Sequence, residues 1–77
     1  LREQAMMHAL HIKFLACDEF VDDLYESKGK ILVEASPVDK IWGIGFNEQN
    51  AMENIDKWGL NLLGKCLMGL RSYKFGF

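Results

Sequence analysis

The sequence has few of the residues that small proteins use as covalent or metal staples. Among its 77 residues there are two cysteines, Cys17 and Cys66, which lie in apolar stretches without CxxC spacing or a histidine at ligand spacing. This pattern argues against a disulfide framework or a zinc site, and it favours free thiols buried in a reducing compartment. Because so short a chain buries a limited fraction of its surface, we expect at most one small domain, of low stability by itself.

Long apolar runs and an excess of charge of one sign are also missing. No run approaches the length of about 20 apolar residues that crosses a bilayer, and no signal-peptide pattern opens the chain, so we expect a cytoplasmic protein with no membrane partner. The net charge is −2 with acids and bases interspersed, which excludes nucleic-acid binding through phosphates alone. The first residues, from Leu1 to Ala5, have helix-interior character without an N-cap in front, so the chain is expected to start within an element.

Motifs for cofactors and nucleophiles are absent as well. Gly43-Ile44-Gly45 lacks the third glycine of a dinucleotide-binding loop and precedes a polar segment rather than a helix. No serine-centred nucleophile elbow is present. His8 and His11 are spaced to share a helix face, but a catalytic zinc takes three protein ligands and no third one is near in sequence. We therefore expect neither a cofactor nor a metal.

What the sequence does contain is helical periodicity, which predicts a mainly α-helical fold with one short extended segment. Residues 1–17 form an amphipathic pattern, with Met7, Leu10, Phe14 and Cys17 at helical spacing. Asp18 is the expected cap of a second, shorter helix that ends near Gly29. Residues 31–33 are β-branched and aliphatic, which predicts a buried extended segment.

The second half of the chain predicts a loop followed by a last helix. Residues 47–58 are polar and aperiodic, which indicates a surface loop with one helical turn around residues 51–55. Asn61 is then the expected cap of a helix that runs to about Arg71 or Tyr73. Its leucine stripe also fits a small helical interaction domain, although core packing explains it sufficiently. Lys65 and Arg71 are expected on the solvated face rather than in a phosphate clamp.

The residues best placed for chemistry follow the apolar run at 31–33. Glu34, Asp39 and Trp42 are concentrated on a segment where Pro37 starts a turn, and binding groups are often held on such loops. Each also has a structural explanation. Asp39 can cap a turn, Trp42 can belong to the core, and Glu34 can face solvent.

Two segments resemble the closing signature of the NADAR superfamily, the YbiA-like N-glycosidase domains. They are residues 32–45 (LVEASPVDKIWGIG) and residues 58–71 (WGLNLLGKCLMGLR). Together they join a valine-glutamate pair, an aspartate three residues before tryptophan-glycine, and an asparagine-x-x-glycine helix that ends in leucine-methionine and arginine. The upstream helix is similar as well, so the resemblance covers nearly the whole of residues 1–77 and implies the C-terminal part of a single domain whose N-terminal part is missing.

The resemblance implies a hydrolase that cleaves the N-glycosidic bond of a phosphorylated ribose or of ADP-ribose. The expected substrates are riboflavin-pathway intermediates or ADP-ribosylated guanine, so that the partner is a small ribosyl phosphate or ADP-ribose-type ligand and nucleic acid enters only as an ADP-ribosylated substrate. Asp39 matches the family's essential aspartate. Neighbouring motif positions, expected to form the substrate pocket, are matched by Glu34, Trp42, Gly43, Asn61 and Gly64.

The sequence departs from the family pattern in one respect. The family also uses a glutamate in a threonine or serine, glutamate, histidine context and a tryptophan, both before the helix that opens this chain, and neither is found in residues 1–77. We therefore expect the chain to be inactive alone. The alternative function is a non-catalytic module that binds ADP-ribose or a related nucleotide.

Overall fold

The computed structural model describes residues 2–77, and the described chain is mainly helical, as the periodicity predicts. It contains α1 (Arg2–Ala16), α2 (Asp18–Glu26), a 3₁₀ helix (Met52–Lys57) and α3 (Leu62–Phe75). Residues 2–77 contain no β-strand. None of the helices in this part of the chain has both the length and the apolar character required to span a bilayer.

The chain divides into two compact units. The helical unit comprises residues 2–32 and 66–77, and the loop unit comprises residues 33–65. α3 contributes its first turn to the loop unit and the rest of its length to the helical unit. All six residues that the sequence nominates for the site lie in the loop unit.

The helical unit is built on α1, α2 and the last part of α3. Its buried apolar residues are Leu10, Leu24, Cys66 and Leu70, and α1 packs against α2. Four aromatic rings of this unit are linked by four ring contacts at centroid distances of 5.1–5.7 Å. They are Phe14, Tyr25, Phe75 and Phe77. Such contacts add about 0.5–1.5 kcal/mol each beyond the area they bury, and here they fix the end of α3.

The start of α2 differs from the prediction. Cys17 occupies the N-cap position with an extended backbone and without a side-chain capping bond, while Asp18 is the first helical residue. The predicted Asp18 cap is therefore wrong. Its carboxylate lies in the first turn, where the partial positive charge of the helix end favours an acid. α2 ends at Glu26, and the turn that follows places Gly29 at φ +79°.

Three further expectations are corrected. Ile31 is 76% exposed and residues 30–36 are irregular, because residues 2–77 supply no neighbouring strand to pair with them. α3 extends to Phe75, two residues beyond the predicted limit of Tyr73, where ring contacts hold its last turn. Arg71 is 8% exposed instead of lying on a solvated face, because its guanidinium donates to Ser27. Lys65 is exposed, as predicted.

Candidate functional site

Asp39 lies in a tight turn whose geometry follows from the residues on either side. Pro37 restricts the preceding residue to extended backbone, and the Ser36 Oγ accepts a hydrogen bond from the Asp39 N–H at 3.3 Å. The Asp39 carboxylate then accepts two main-chain bonds through Oδ1, from the N–H groups of Ile41 at 2.9 Å and Trp42 at 2.8 Å. The side chain is therefore fixed by its own turn, in the way that aspartates commonly order short loops.

These bonds favour the ionised form of the carboxyl group. Hydrogen bonds from the Trp42 and Ile41 N–H groups lower the pKa of Asp39 from its usual value of 3.8, with a smaller contribution from Gly43. Partial desolvation acts in the opposite direction but is outweighed by the bond from Trp42 and that from Ile41. Asp39 is thus an ionised carboxylate at neutral pH. Both of these bonds end on Oδ1, so they fix the orientation of the carboxylate.

The loop that carries Asp39 is held by the start of α3 through an unbroken set of main-chain bonds. Five consecutive N–H groups, those of residues 59–63, donate to the five consecutive carbonyls of residues 40–44. The N···O distances range from 2.7 Å, for Leu60 to Lys40, to 3.0 Å. Three of the donors, those of residues 61–63, are N–H groups at the N-terminus of α3 that have no partner inside the helix. Because the loop uses them, they are not available to bind a phosphate, the common role of a helix N-terminus.

Two glycines allow this close approach of loop and helix start. A Cβ on Gly59 would collide with the carbonyl oxygen of Lys40 and would lie 2.7 Å from its Cα. A Cβ on Gly43 would lie 2.7 Å from the Glu34 carbonyl oxygen and 2.9 Å from that of Asp39. The groups that approach the two glycines this closely are backbone atoms of the protein. We refer below to residues 39–44 together with residues 59–63 as the aspartate clamp.

Glu34 and Asn61 connect the preceding segment to this clamp. The Asn61 side chain accepts the Glu34 N–H at 2.9 Å through Oδ1, and the Glu34 carbonyl accepts the N–H groups of Ser36 and Ile44, both at 3.0 Å. Asn61 is buried and has φ +51°, a left-handed conformation that asparagine tolerates better than most residues. The structure thus gives both residues a role in positioning the loop, and Asn61 stands immediately before α3 as predicted.

Trp42 and Gly64 complete the predicted set. Trp42 is half-buried, its N–H donates to Asp39 and its carbonyl accepts from Leu63. Gly64 is buried in the first turn of α3. The structure therefore brings Glu34, Asp39, Trp42, Gly43 and Asn61 into one hydrogen-bonded arrangement, with Gly64 directly after it.

A cleft of about 420 Å³ in the loop unit does not involve these residues. Its walls are formed by Ala35, Asn47, Glu48 and Gln49. No sequence signal selects the last three, which belong to a polar loop without a motif. Sequence reasoning also missed Gly59 as part of the aspartate clamp. The signal available for it was its place two residues before the helix cap Asn61, next to Trp58.

The residues that hold the Asp39 carboxylate lie within a segment that matches a known family. Residues 1–73 match the NADAR domain, and the chain belongs to this family. Among curated relatives, an N-glycosidase of Acanthamoeba polyphaga mimivirus is 51% identical over 63 residues, which are 78% of this chain and 36% of the relative. An N-glycosidase of Nostoc punctiforme is 38% identical over 71 residues, which are 92% of this chain and 40% of the relative.

A plant relative has a name that refers to a metabolic pathway. The chloroplastic riboflavin biosynthesis protein PYRR of Zea mays is 38% identical over 71 residues, which are 92% of this chain and 10% of that protein. The chain thus spans less than half the length of each of these relatives. No solved structure matches the chain.

Proposed function

We propose that this protein acts in the hydrolysis of an N-glycosidic bond, with Asp39 as the carboxylate that faces the sugar. The observation that carries the proposal is the pair of main-chain bonds to Asp39 Oδ1, which hold the carboxylate in a fixed orientation and favour its ionised form. Membership of the NADAR family and the two relatives named N-glycosidases support the reaction class.

The chemistry fits an ionised carboxylate better than a neutral acid. As the base leaves a ribosyl carbon, positive charge builds up on the sugar, and a nearby carboxylate stabilises that charge or orients the attacking water. An acid must assist the departing base, and its pKa has to be higher than that of Asp39. We assign Asp39 the first task. The second belongs to the glutamate that the family resemblance places upstream of α1.

The substrate class we propose is a phosphorylated ribose or ADP-ribose carrying a base at C1. Riboflavin-pathway intermediates are supported by the name of the maize relative. ADP-ribosylated guanine presents the same type of bond, and it rests on the family resemblance alone. Glu34, Trp42, Gly43, Asn61 and Gly64 are proposed to shape the pocket, mainly by fixing the aspartate clamp.

Replacing Asp39 tests the proposal because two substitutions separate charge from structure. Asp39→Asn keeps an Oδ1 acceptor for the Ile41 and Trp42 N–H groups but removes the charge, whereas Asp39→Ala removes both. We expect Asp39→Asn to remain folded and to lose about 100-fold or more in kcat/KM, the usual contribution of a catalytic carboxylate. Asp56→Asn, at an exposed position on the 3₁₀ helix, is the matched control and should retain full activity.

The assay measures the release of free base by chromatography. The substrates are a riboflavin-pathway phosphoriboside and ADP-ribosylated guanine, and the enzyme is the protein as it occurs naturally. Near-normal turnover by a folded Asp39→Asn protein would eliminate Asp39 as the catalytic carboxylate. Saturable ligand binding by the unmodified protein without any release of base would instead favour the binding module.

A further inference from the structure

The cleft of about 420 Å³ in the loop unit borders the segment that carries Asp39. Part of its lining is Ala35, which lies directly between Glu34 and Ser36. The Glu34 carbonyl accepts the Ile44 N–H at 3.0 Å, and the Ser36 Oγ accepts the Asp39 N–H at 3.3 Å. The cleft therefore lies against the same hydrogen-bonded segment that holds the Asp39 turn.

The rest of the lining comes from a turn that begins at Asn47. The N–H of Asn50 donates to the Asn47 carbonyl at 3.2 Å and to the Asn47 Oδ1 at 3.0 Å. The Asn50 carbonyl in turn accepts a hydrogen bond from Asn54 Nδ2 at 2.9 Å. These bonds hold both ends of the turn, and they place Glu48 and Gln49 at its two central positions, where both residues line the cleft.

The polar groups on the lining are available to a ligand. Glu48 and Gln49 are exposed, and their side chains make no hydrogen bond or ion pair within residues 2–77. Asn47 uses its Oδ1 in the turn, so its Nδ2 group is left as a donor. Exposed polar residues on a loop are ordinarily solvated and nothing more. Here they differ in lining a cleft, on an ordered turn, beside the segment that holds Asp39.

The chemistry of the lining disfavours a phosphate and favours a neutral group rich in hydrogen-bond donors. The lining contains a carboxylate, that of Glu48, and no cation, so it repels an anion. Carboxylates accept hydrogen bonds from the N–H groups of nucleobases, and side-chain amides pair with base edges that both donate and accept. A volume of about 420 Å³ is also typical of small-molecule sites, which range from about 300 to 1,000 Å³.

We propose that Glu48 and Gln49 form a base subsite, which binds the N–H edge of the base that leaves when the ribosyl bond is broken. Glu48 is the specificity-determining residue because its carboxylate accepts hydrogen bonds from two adjacent N–H groups of the base. Gln49 supplies a further polar contact. The subsite depends on the proposed function, in which Asp39 faces the sugar of the same substrate. A base that lacks one of the two donors forms one contact fewer and binds less tightly.

The test compares the binding of two nucleotides that differ in one donor. Guanosine 5′-monophosphate has a ring N–H beside an exocyclic amino group, inosine 5′-monophosphate lacks that amino group, and ribose 5-phosphate is the probe without a base. Each is titrated into the naturally occurring protein, and the side-chain amide signal of Gln49, assigned by its loss in Gln49→Glu, is followed in a ¹H–¹⁵N spectrum. Release of base is measured separately by chromatography, so that binding and hydrolysis are observed independently.

Two variants separate the cleft from the rest of the loop. Glu48→Gln keeps the size of the side chain and removes its charge. Glu53→Gln is the matched control, because Glu53 is exposed on the 3₁₀ helix and does not line the cleft. We expect guanosine 5′-monophosphate to shift the Gln49 signal to saturation and to bind about tenfold or more tightly than inosine 5′-monophosphate. Glu48→Gln should abolish this preference, and Glu53→Gln should retain it.

The outcomes distinguish the base subsite from the proposed hydrolysis. A Gln49 signal that neither nucleotide shifts, or that ribose 5-phosphate shifts equally, would overturn the subsite. Equal affinity for the two nucleotides, or a preference that survives in Glu48→Gln, would overturn it as well. Selective binding through Glu48 without release of base from any ribosyl substrate would support the subsite and contradict the hydrolysis. Release of base that depends on Asp39 but not on Glu48, with no nucleotide preference, would do the reverse.

Discussion

Gly59→Ala is the perturbation that should damage the aspartate clamp most directly. The new Cβ would collide with the Lys40 carbonyl oxygen and would lie 2.7 Å from the Lys40 Cα and 2.8 Å from its carbonyl carbon. All three are backbone atoms, so no side chain can rotate away. Relief requires the loop to move, and the first bond to suffer is Leu60 N–H to the Lys40 carbonyl at 2.7 Å.

The expected loss follows from these contacts. Overpacking against a rigid neighbour costs about 1–3 kcal/mol. One broken main-chain hydrogen bond adds about 1 kcal/mol. The free energy of unfolding should therefore fall by about 2–4 kcal/mol, and kcat/KM should fall with it because Asp39 lies on the loop that is displaced.

Urea unfolding monitored by far-UV circular dichroism measures this loss, and Gly69→Ala provides a control with the opposite sign. Gly69 is exposed on α3, and a methyl group added there would have no neighbouring atom within 4 Å, so alanine should stabilise the helix by about 0.8–1 kcal/mol. If Gly59→Ala unfolds at the same urea concentration as the parent protein, the close contact with Lys40 is not part of the folded state, and the clamp is refuted.

Three other predictions concern single groups. Because the folded state lowers the pKa of Asp39, its contribution to stability is complete well above about pH 4 and is lost as the pH falls through the lowered pKa. The urea concentration at the unfolding midpoint should fall as the pH is lowered from about 6 to about 2, and it should fall less in the Asp39→Asn variant. An equal fall in the two proteins would contradict this assignment. Ser27→Ala removes one acceptor from the buried guanidinium and should lower the free energy of unfolding by about 1–2 kcal/mol, against little change for Ser72→Ala on the exposed face of α3. Burial raises the pKa of the Cys66 thiol, with a smaller effect of Glu3, so a maleimide at neutral pH should modify Cys66 more slowly than half-buried Cys17, and equal rates would argue against its burial.

The helices could be predicted from the sequence because apolar spacing and local signals define them. Residues 52–57 form a short helix inside a polar loop, close to the turn predicted at 51–55. The start of α2 was misassigned because aspartate is favoured both at an N-cap and in the first turn. Sequence alone could not choose between these two adjacent positions.

The site could be predicted from the sequence less completely than the helices. Asp39 was selected, and its turn contacts agree with the capping role considered for it. The clamp itself joins residues about 20 positions apart through main-chain bonds, which leave no side-chain signature. Arg71 was misplaced for a related reason, because its burial depends on Ser27, 44 residues away. Contacts between distant residues, rather than local propensity, decided these features.

The most direct test of the central claim is the release of free base from a ribosyl substrate by the naturally occurring protein and by its Asp39→Asn variant. We predict that the unmodified protein releases base from a riboflavin-pathway phosphoriboside or from ADP-ribosylated guanine. We also predict that the folded variant binds the same substrate and loses about 100-fold or more of kcat/KM. Equal release of base by the two proteins would contradict the catalytic role of Asp39.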